Sequence, residues 1–169
     1  MTATEEFIGV LSRLKTGDLG LLRTHAQQAL DESVEGFDLF SGLWWPLRKK
    51  NERAPRREVA WLIAKLYGCC PIPQARDATL ARQLRRCRPA HEEGRNRFGR
   101  KFDNILMLPL DKIEAELRWA IGQVASRGLS LDWVRLTDEL SVWERESTRL
   151  RWAEQFLKTE ENDERGPLC

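Results

Sequence analysis

The sequence predicts an all-α protein of two small helical bundles, about eight to nine helices in total. Three observations carry that expectation. Apolar residues recur at i, i+3, i+4 and i+7 through most of the chain, the spacing that lines one face of a helix. No run shows the sustained alternation of a strand. Charged residues make up 32% of the chain, beside 41% hydrophobic ones, which suits charged outer helix faces over a real core.

Taken in order, Phe7, Val10, Leu11 and Leu14 define the inward face of a first helix. Thr16-Gly17-Asp18 interrupts it and offers a cap for a second, which should bury Leu19, Leu22, Ala26 and Leu30. A short apolar segment runs from Phe37 to Trp45 and is expected to stop at Pro46. Leu47 to Pro55 reads as a basic loop, with Pro55 suited to the first turn of the next helix. That helix presents Val59, Leu62, Ile63 and Leu66 on one face.

Gly68-Cys69-Cys70-Pro71-Ile72-Pro73 is a cluster of breakers and the expected boundary between the halves. The expected domains are therefore 1–70 and 71–158, followed by a charged tail, 159–169, expected to be disordered. In the second half Leu80, Leu84 and Cys87 point inward, Pro89 to Gly94 is a loop, and Phe98, Phe102, Ile105 and Leu106 line a helix ended by Pro109. Ile113, Leu117, Ala120, Ile121 and Val124 line a longer one, with Gly128 as its stop. Trp133, Leu136, Leu140 and Trp143 follow, then Leu150, Ala153 and Leu157.

Charge is laid out unevenly. The chain carries 28 Lys and Arg against 26 Asp and Glu. Arg76 to Lys101 nevertheless holds nine basic residues and only three acids, Asp77, Glu92 and Glu93. Arg48 to Arg57 is a second basic run, while the tail holds Glu160, Glu161, Asp163 and Glu164. Local charge of one sign attracts partners even when the whole is near neutral. Helical spacing sets Arg82, Arg85 and Arg86 side by side, and likewise Arg97, Arg100 and Lys101. Such rows could track a phosphate backbone; a solvated helix face is the plainer reading of either row alone.

Seven tryptophans are present. Most are expected in the core, since Trp133 and Trp143 keep phase with their apolar stripe; Trp44 and Trp45, beside the basic loop, are the candidates for exposure and could stack bases. His25 reads as an ordinary partly exposed residue. His91-Glu92-Glu93 lacks the second histidine of a metal helix, and the cysteines form no CxxC pair, so no metal or other cofactor is expected. Phosphate-binding, dinucleotide and serine-nucleophile motifs are missing, so no catalytic residue is assigned. Asp132 is expected to cap a helix. Adjacent Cys69 and Cys70, no long apolar run and no secretory leader point to a cytoplasmic chain with reduced thiols and no membrane contact.

Several stretches resemble one known family. NRFGRKFDNIL, LRWAIGQVASRGLSLDWVRLTDEL and VWERESTRLRWAEQFL follow the order of the CasB family: an "RRF…LL" helix, a long helix, a turn into "LDW…L…L" and a final Arg-rich helix with Trp. LKTGDLGLLR is similar to the family's first turn, with Gly17 and Arg23 at the matching places, and ATLARQLRRC is similar to its "GRAL" helix, with Ala81 where Gly is usual. The likeness covers roughly residues 5 to 157. It departs most in the loops Arg48 to Pro55 and Cys69 to Thr79.

The resemblance implies a non-enzymatic small subunit of the type I-E CRISPR surveillance complex Cascade. It implies the backbone and large subunits, CRISPR RNA, target DNA and a second copy of the chain as partners. Arg23, Arg56, Arg97 and Arg149 fall on or beside positions often basic in that family. Arg57, Arg85, Arg86, Arg100 and Lys101 come from the basic rows alone. All nine are expected to line a nucleic-acid groove. The competing expectation is a free-standing DNA-binding regulator, with the helix after the Gly128 turn as its reading head; a helical scaffold that binds only protein is the third.

Overall fold

Helix α1 (Ala3–Ser12) begins at a capping box: the Thr2 hydroxyl accepts from the Glu5 amide, and the Glu5 carboxylate accepts from the Thr2 amide. It belongs to a computed structural model that describes residues 1–29 and 34–157. The expected tail and Leu30 lie outside these residues. Phe7, Ile8 and Leu11 are buried on α1, whereas Leu14, past its end, is only half-buried. Helix α2 (Thr16–Thr24) starts without the expected cap, since Lys15 holds the N-cap position and makes no side-chain bond there. It ends before Ala26.

Helix α3 (Val34–Lys50) overturns the expected stop at Pro46, which lies inside it. Contacts beyond the proline hold the last turn. The Arg48 guanidinium donates to the carbonyls of Glu52 at 2.6 Å and Ala54 at 2.8 Å, and the Trp44 indole donates to Pro55 O at 2.7 Å. Leu47 to Lys50 is therefore helix rather than loop. Pro55, in turn, stands just outside α4 (Arg57–Cys69), whose N-cap is Arg56.

Every residue from Val59 to Gly68 is buried, so α4 is enclosed on all sides. Gly68 is needed there: a Cβ would stand 2.8 Å from Leu22 Cβ and 3.0 Å from Leu19 O, so only glycine admits α2 this closely. His25 is buried, against expectation. It follows α2 and tucks beside Trp61, its Nδ1 2.9 Å from Gln28 Oε1.

The breaker segment is stitched to the turn before α8 (Trp133–Leu140). Ala75 N donates to Leu131 O (3.0 Å), Leu131 N to Pro73 O (3.3 Å) and Asp132 N to Ala78 O (2.8 Å). Asp132 caps α8 as expected, and its carboxylate also accepts from Gln74 Nε2 and Asp77 N, each at 2.9 Å. Helix α5 (Leu80–Cys87) is capped by Thr79 and buries Leu80, Leu84 and Cys87. Helix α6 (Glu92–Met107) begins inside the expected loop and buries Phe98, Phe102 and Ile105. Helix α7 (Glu114–Ser126) buries the expected stripe, and Gly128 leaves it with φ +65°.

Helix α9 (Glu146–Leu157) turns a different face inward than expected. Leu150 and Leu157 are 55% and 66% exposed, whereas Thr148, Trp152 and Phe156 are buried. The aromatic rings win because they bury more area and find partners. Trp152 packs edge-on against Trp143, and Phe156 stacks on Phe102 at 4.0 Å.

The fold is all-α, nine helices among the described residues. Helices α2 and α3 pack on α4, with α1 on α3; α5 and α6 pack on α7, with α9 on α5 and α6. The two groups meet where α4 touches α7, α8 packs on α1 and α4, and the buried side chains form one connected cluster. No described helix is long and apolar enough to cross a membrane.

Replacing Phe156 by Ala should cost about 3–5 kcal/mol in urea unfolding, and Leu150→Ala less than about 0.5 kcal/mol. Equal losses would contradict this phase for α9.

Candidate nucleic-acid interface

The charged side chains sort by what already holds them. On α2, Arg23 Nε donates to Gly68 O at 3.3 Å, at the end of α4. Arg56 reaches across the molecule to Glu144, Nη2 to Oε1 at 2.9 Å, and lies 3.9 Å from Glu58. Arg149 Nη2 donates to the backbone carbonyl of the same Glu144 at 3.3 Å. Glu144 is thus flanked by two guanidinium groups. Its carboxyl is held below the usual range by its own backbone amide first, then by the hydrogen bond and charge of Arg56 and the charge of Arg149.

Arg57 and Arg149 line a cavity of about 760 Å³ between the two helix groups, with Trp61, Lys65, Glu114 and Glu144 among its walls. Lys65 is buried and paired with Glu114; it also donates to Gln28 O at 2.9 Å and sits over the Trp61 ring.

A second group occupies α5, α6 and the turn between them. Arg100 borders a shallow hollow shared with Arg88, Arg95, Asn96, Asp103 and Phe156. The Arg88 guanidinium lies over the Phe156 ring, 5.2 Å from its centre. Lys101 leans the other way and covers Trp119 at 4.8 Å. Arg97 pairs with Glu93 one turn earlier at 3.2 Å, both largely exposed, a contact of little energetic weight. Arg86 Nη1 donates to Gln83 Oε1 at 3.3 Å. Arg85 is half-buried on the same helix. Arg82, Arg86, Arg95, Arg100 and Lys101 are exposed, and no ion pair engages them among the described residues.

The structure therefore brings Arg57 and Arg149 together at the cavity, with Arg56 held to Glu144 of its wall. Arg100 lies at the separate α6 hollow, with Arg85, Arg86, Arg97 and Lys101 on or near the same helices, and Arg23 stands apart beside α4. The helix after the Gly128 turn does not offer a reading head: Trp133, Leu136, Thr137, Glu139 and Leu140 of α8 are all buried.

Residues 18–157 match the family model of the CRISPR-associated protein Cse2. The chain belongs to the Cse2 family. Solved structures agree on the fold. A Cse2-family CRISPR-associated protein from Thermus thermophilus is 24% identical, with 92% of this chain and 98% of that one covered, at a TM-score of 0.70. CasB of M. ruber is 19% identical over 96% and 97%, at 0.74. CasB of Thermobifida fusca is 14% identical over 92% and 98%, at 0.71. No curated protein matches the sequence.

Two features of this Cse2-family surface were not singled out from sequence. Arg88 and Arg95 sat in the basic run but outside the spaced rows; their place beside Phe156 depends on the phase of α9. Glu144 lies 88 positions from Arg56, and nothing local in the sequence links them.

The lowered carboxyl of Glu144 carries a pH signature. It adds stability above its unfolded value, about 4.3, which is lost as pH falls through the lower folded value. Wild type should therefore exceed Glu144→Gln in urea midpoint at pH 6–7, and the gap should close towards pH 3. A gap independent of pH would contradict the lowering of the Glu144 carboxyl by its own backbone amide and the two arginines.

Proposed function

We propose that this Cse2-family chain is a non-catalytic small subunit of a type I-E Cascade. In that role it contacts the nucleic-acid backbone without sequence preference and helps hold target and displaced strands. The observation that carries the nucleic-acid part is the set of exposed cations on α5 and α6 that no ion pair engages among the described residues. Cations of this kind release counterions from each phosphate they meet. Phosphate contacts carry no sequence information, which suits a subunit serving any guide. RNA-guided strand exchange is close to energetic balance, so modest backbone contacts can tip it.

The partners in this reading are the other Cascade subunits, CRISPR RNA, target DNA and a second copy of the chain. The boundary at 70/71 belongs to the same reading, with 1–70 and 71–158 as two helical bundles. Arg57 at the cavity, and Arg100 and Lys101 on α6, are the side chains we assign to phosphate. Arg23, Arg56, Arg86, Arg97 and Arg149 are assigned a lesser share, since each has a named hydrogen-bonding partner in the fold. Half-buried Arg85 joins them.

Gentle purification of the tagged chain from its host should recover a stoichiometric set of proteins with one short repeat-derived RNA. Recovery of the chain alone, or with mixed nucleic acid, would sink the complex assignment. In duplex-DNA binding by the isolated chain, Arg100→Gln with Lys101→Gln should reduce the slope of log K against log salt by about 2. An unchanged slope would remove both residues from the interface.

A further inference from the structure

Helix α3 carries an aromatic side chain that the fold does not use. Trp45 is 55% exposed, whereas Trp61, Trp133, Trp143 and Trp152 are buried. It is an odd place for bare indole, because its neighbour Trp44 is well held. Trp44 stacks on Phe40 at 5.6 Å and 11° and donates its N–H to Pro55 O. Trp45 leans on that fixed ring, with centroids 6.1 Å apart. Its position is thus backed from within the fold while much of its surface meets solvent.

What surrounds the ring keeps it open. A helical side chain lies over the turn that precedes it. In that turn, positions 41 and 42 are Ser41 and Gly42, and even a Cβ at Gly42 would meet nothing within 4 Å. One turn later, at the i+4 position on the same helix face, stands Lys49. Lys49, Lys50 and Arg53 are exposed, and no ion pair engages them among the described residues. Arg48 differs, being bound to the carbonyls of Glu52 and Ala54.

We infer that Trp45 is a stacking platform for an unpaired base of single-stranded nucleic acid, with Lys49, Lys50 and Arg53 on the flanking phosphates. An open flat ring beside unneutralised cations is the pairing that binds single strands without sequence preference, because every base has a π-face. A protein partner fits less well: lysine is depleted in the cores of protein interfaces, where a bare tryptophan would have to sit. A paired duplex fits less well too, since its bases are already stacked. The inference rests on the reading that the chain contacts nucleic acid, and it adds contact with bases to contact with phosphates.

The test compares two labelled oligonucleotides of equal length and charge, oligo-dT and its fully abasic analogue, against the full chain by fluorescence anisotropy. Wild type should bind oligo-dT about tenfold more tightly than the abasic strand. Trp45→Ala should lose most of that preference and keep the salt slope of wild type; Trp45→Phe, which retains a ring, should keep part of it. Circular dichroism and urea midpoints establish that each variant is folded. Trp45→Ala with the full wild-type preference overturns the stacking role while leaving phosphate binding intact. Wild type that binds neither strand overturns both readings. A Trp45→Ala chain unaltered towards both strands but changed in its mass in solution gives the ring to a contact between proteins.

Discussion

Lys65 is the constraint around which the two helix groups must close. It sits in the middle of α4, buried with its neighbours, and a buried ammonium without a partner is costly. Glu114 supplies the counter-charge from the first turn of α7, where the helix dipole also favours a carboxylate. The same carboxylate accepts from the Gln27 amide, and Gln28 O accepts from both Lys65 and the Trp61 indole. The segment after α2, the central helix and the start of α7 therefore meet at one charge. A pair like this adds little net stability over apolar packing. What it does is penalise any arrangement that separates its members. The cavity that Arg57 and Arg149 line opens at this junction, so its shape follows from where that pair sits.

Much of this fold was legible because most helices carry a clean stripe. Ile113, Leu117, Ala120, Ile121 and Val124 went inward as their spacing requires, and so did Val59, Leu62, Ile63 and Leu66. Pro46 misled because Arg48 and Trp44 bond to the carbonyls of Glu52, Ala54 and Pro55 in the loop that folds back on the helix end, a local closure that apolar spacing does not reveal. Helix α9 misled for a different reason. Leucines and aromatics are both spaced helically there, and the choice between the two phases depends on Trp143 and Phe102 waiting on other helices. His25 looked ordinary because nothing local predicts a tryptophan beside it.

The candidate interface was legible in its residue types and much less in its grouping. Spacing correctly put Arg97, Arg100 and Lys101 on one helix, yet their heads diverge. Lys101 is drawn to the Trp119 face, and Arg100 borders the hollow facing α9. A helical wheel gives the arc that side chains occupy, while the rings on either flank decide which way the long stems lean. Arg149 joins the adjacent Arg56 and Arg57 by folding alone, since it stands far from them in the chain.

Availability, more than charge, then separates these cations. A phosphate approaching Arg56 or Arg149 has to compete with Glu144, a carboxylate already hydrogen-bonded to Arg56 and within the field of Arg149. Part of the attraction at that site is therefore satisfied before any ligand arrives. Arg100 and Lys101 face no carboxylate in an ion pair among the described residues, so in the proposed role a phosphate there meets no paired acid, although Lys101 already covers the Trp119 ring. Asp103, on the rim of the same hollow, limits how deeply a backbone could settle between Arg95 and Arg100. In the proposed role, counterion release is expected to be concentrated on the outer face of α6 rather than at the cavity.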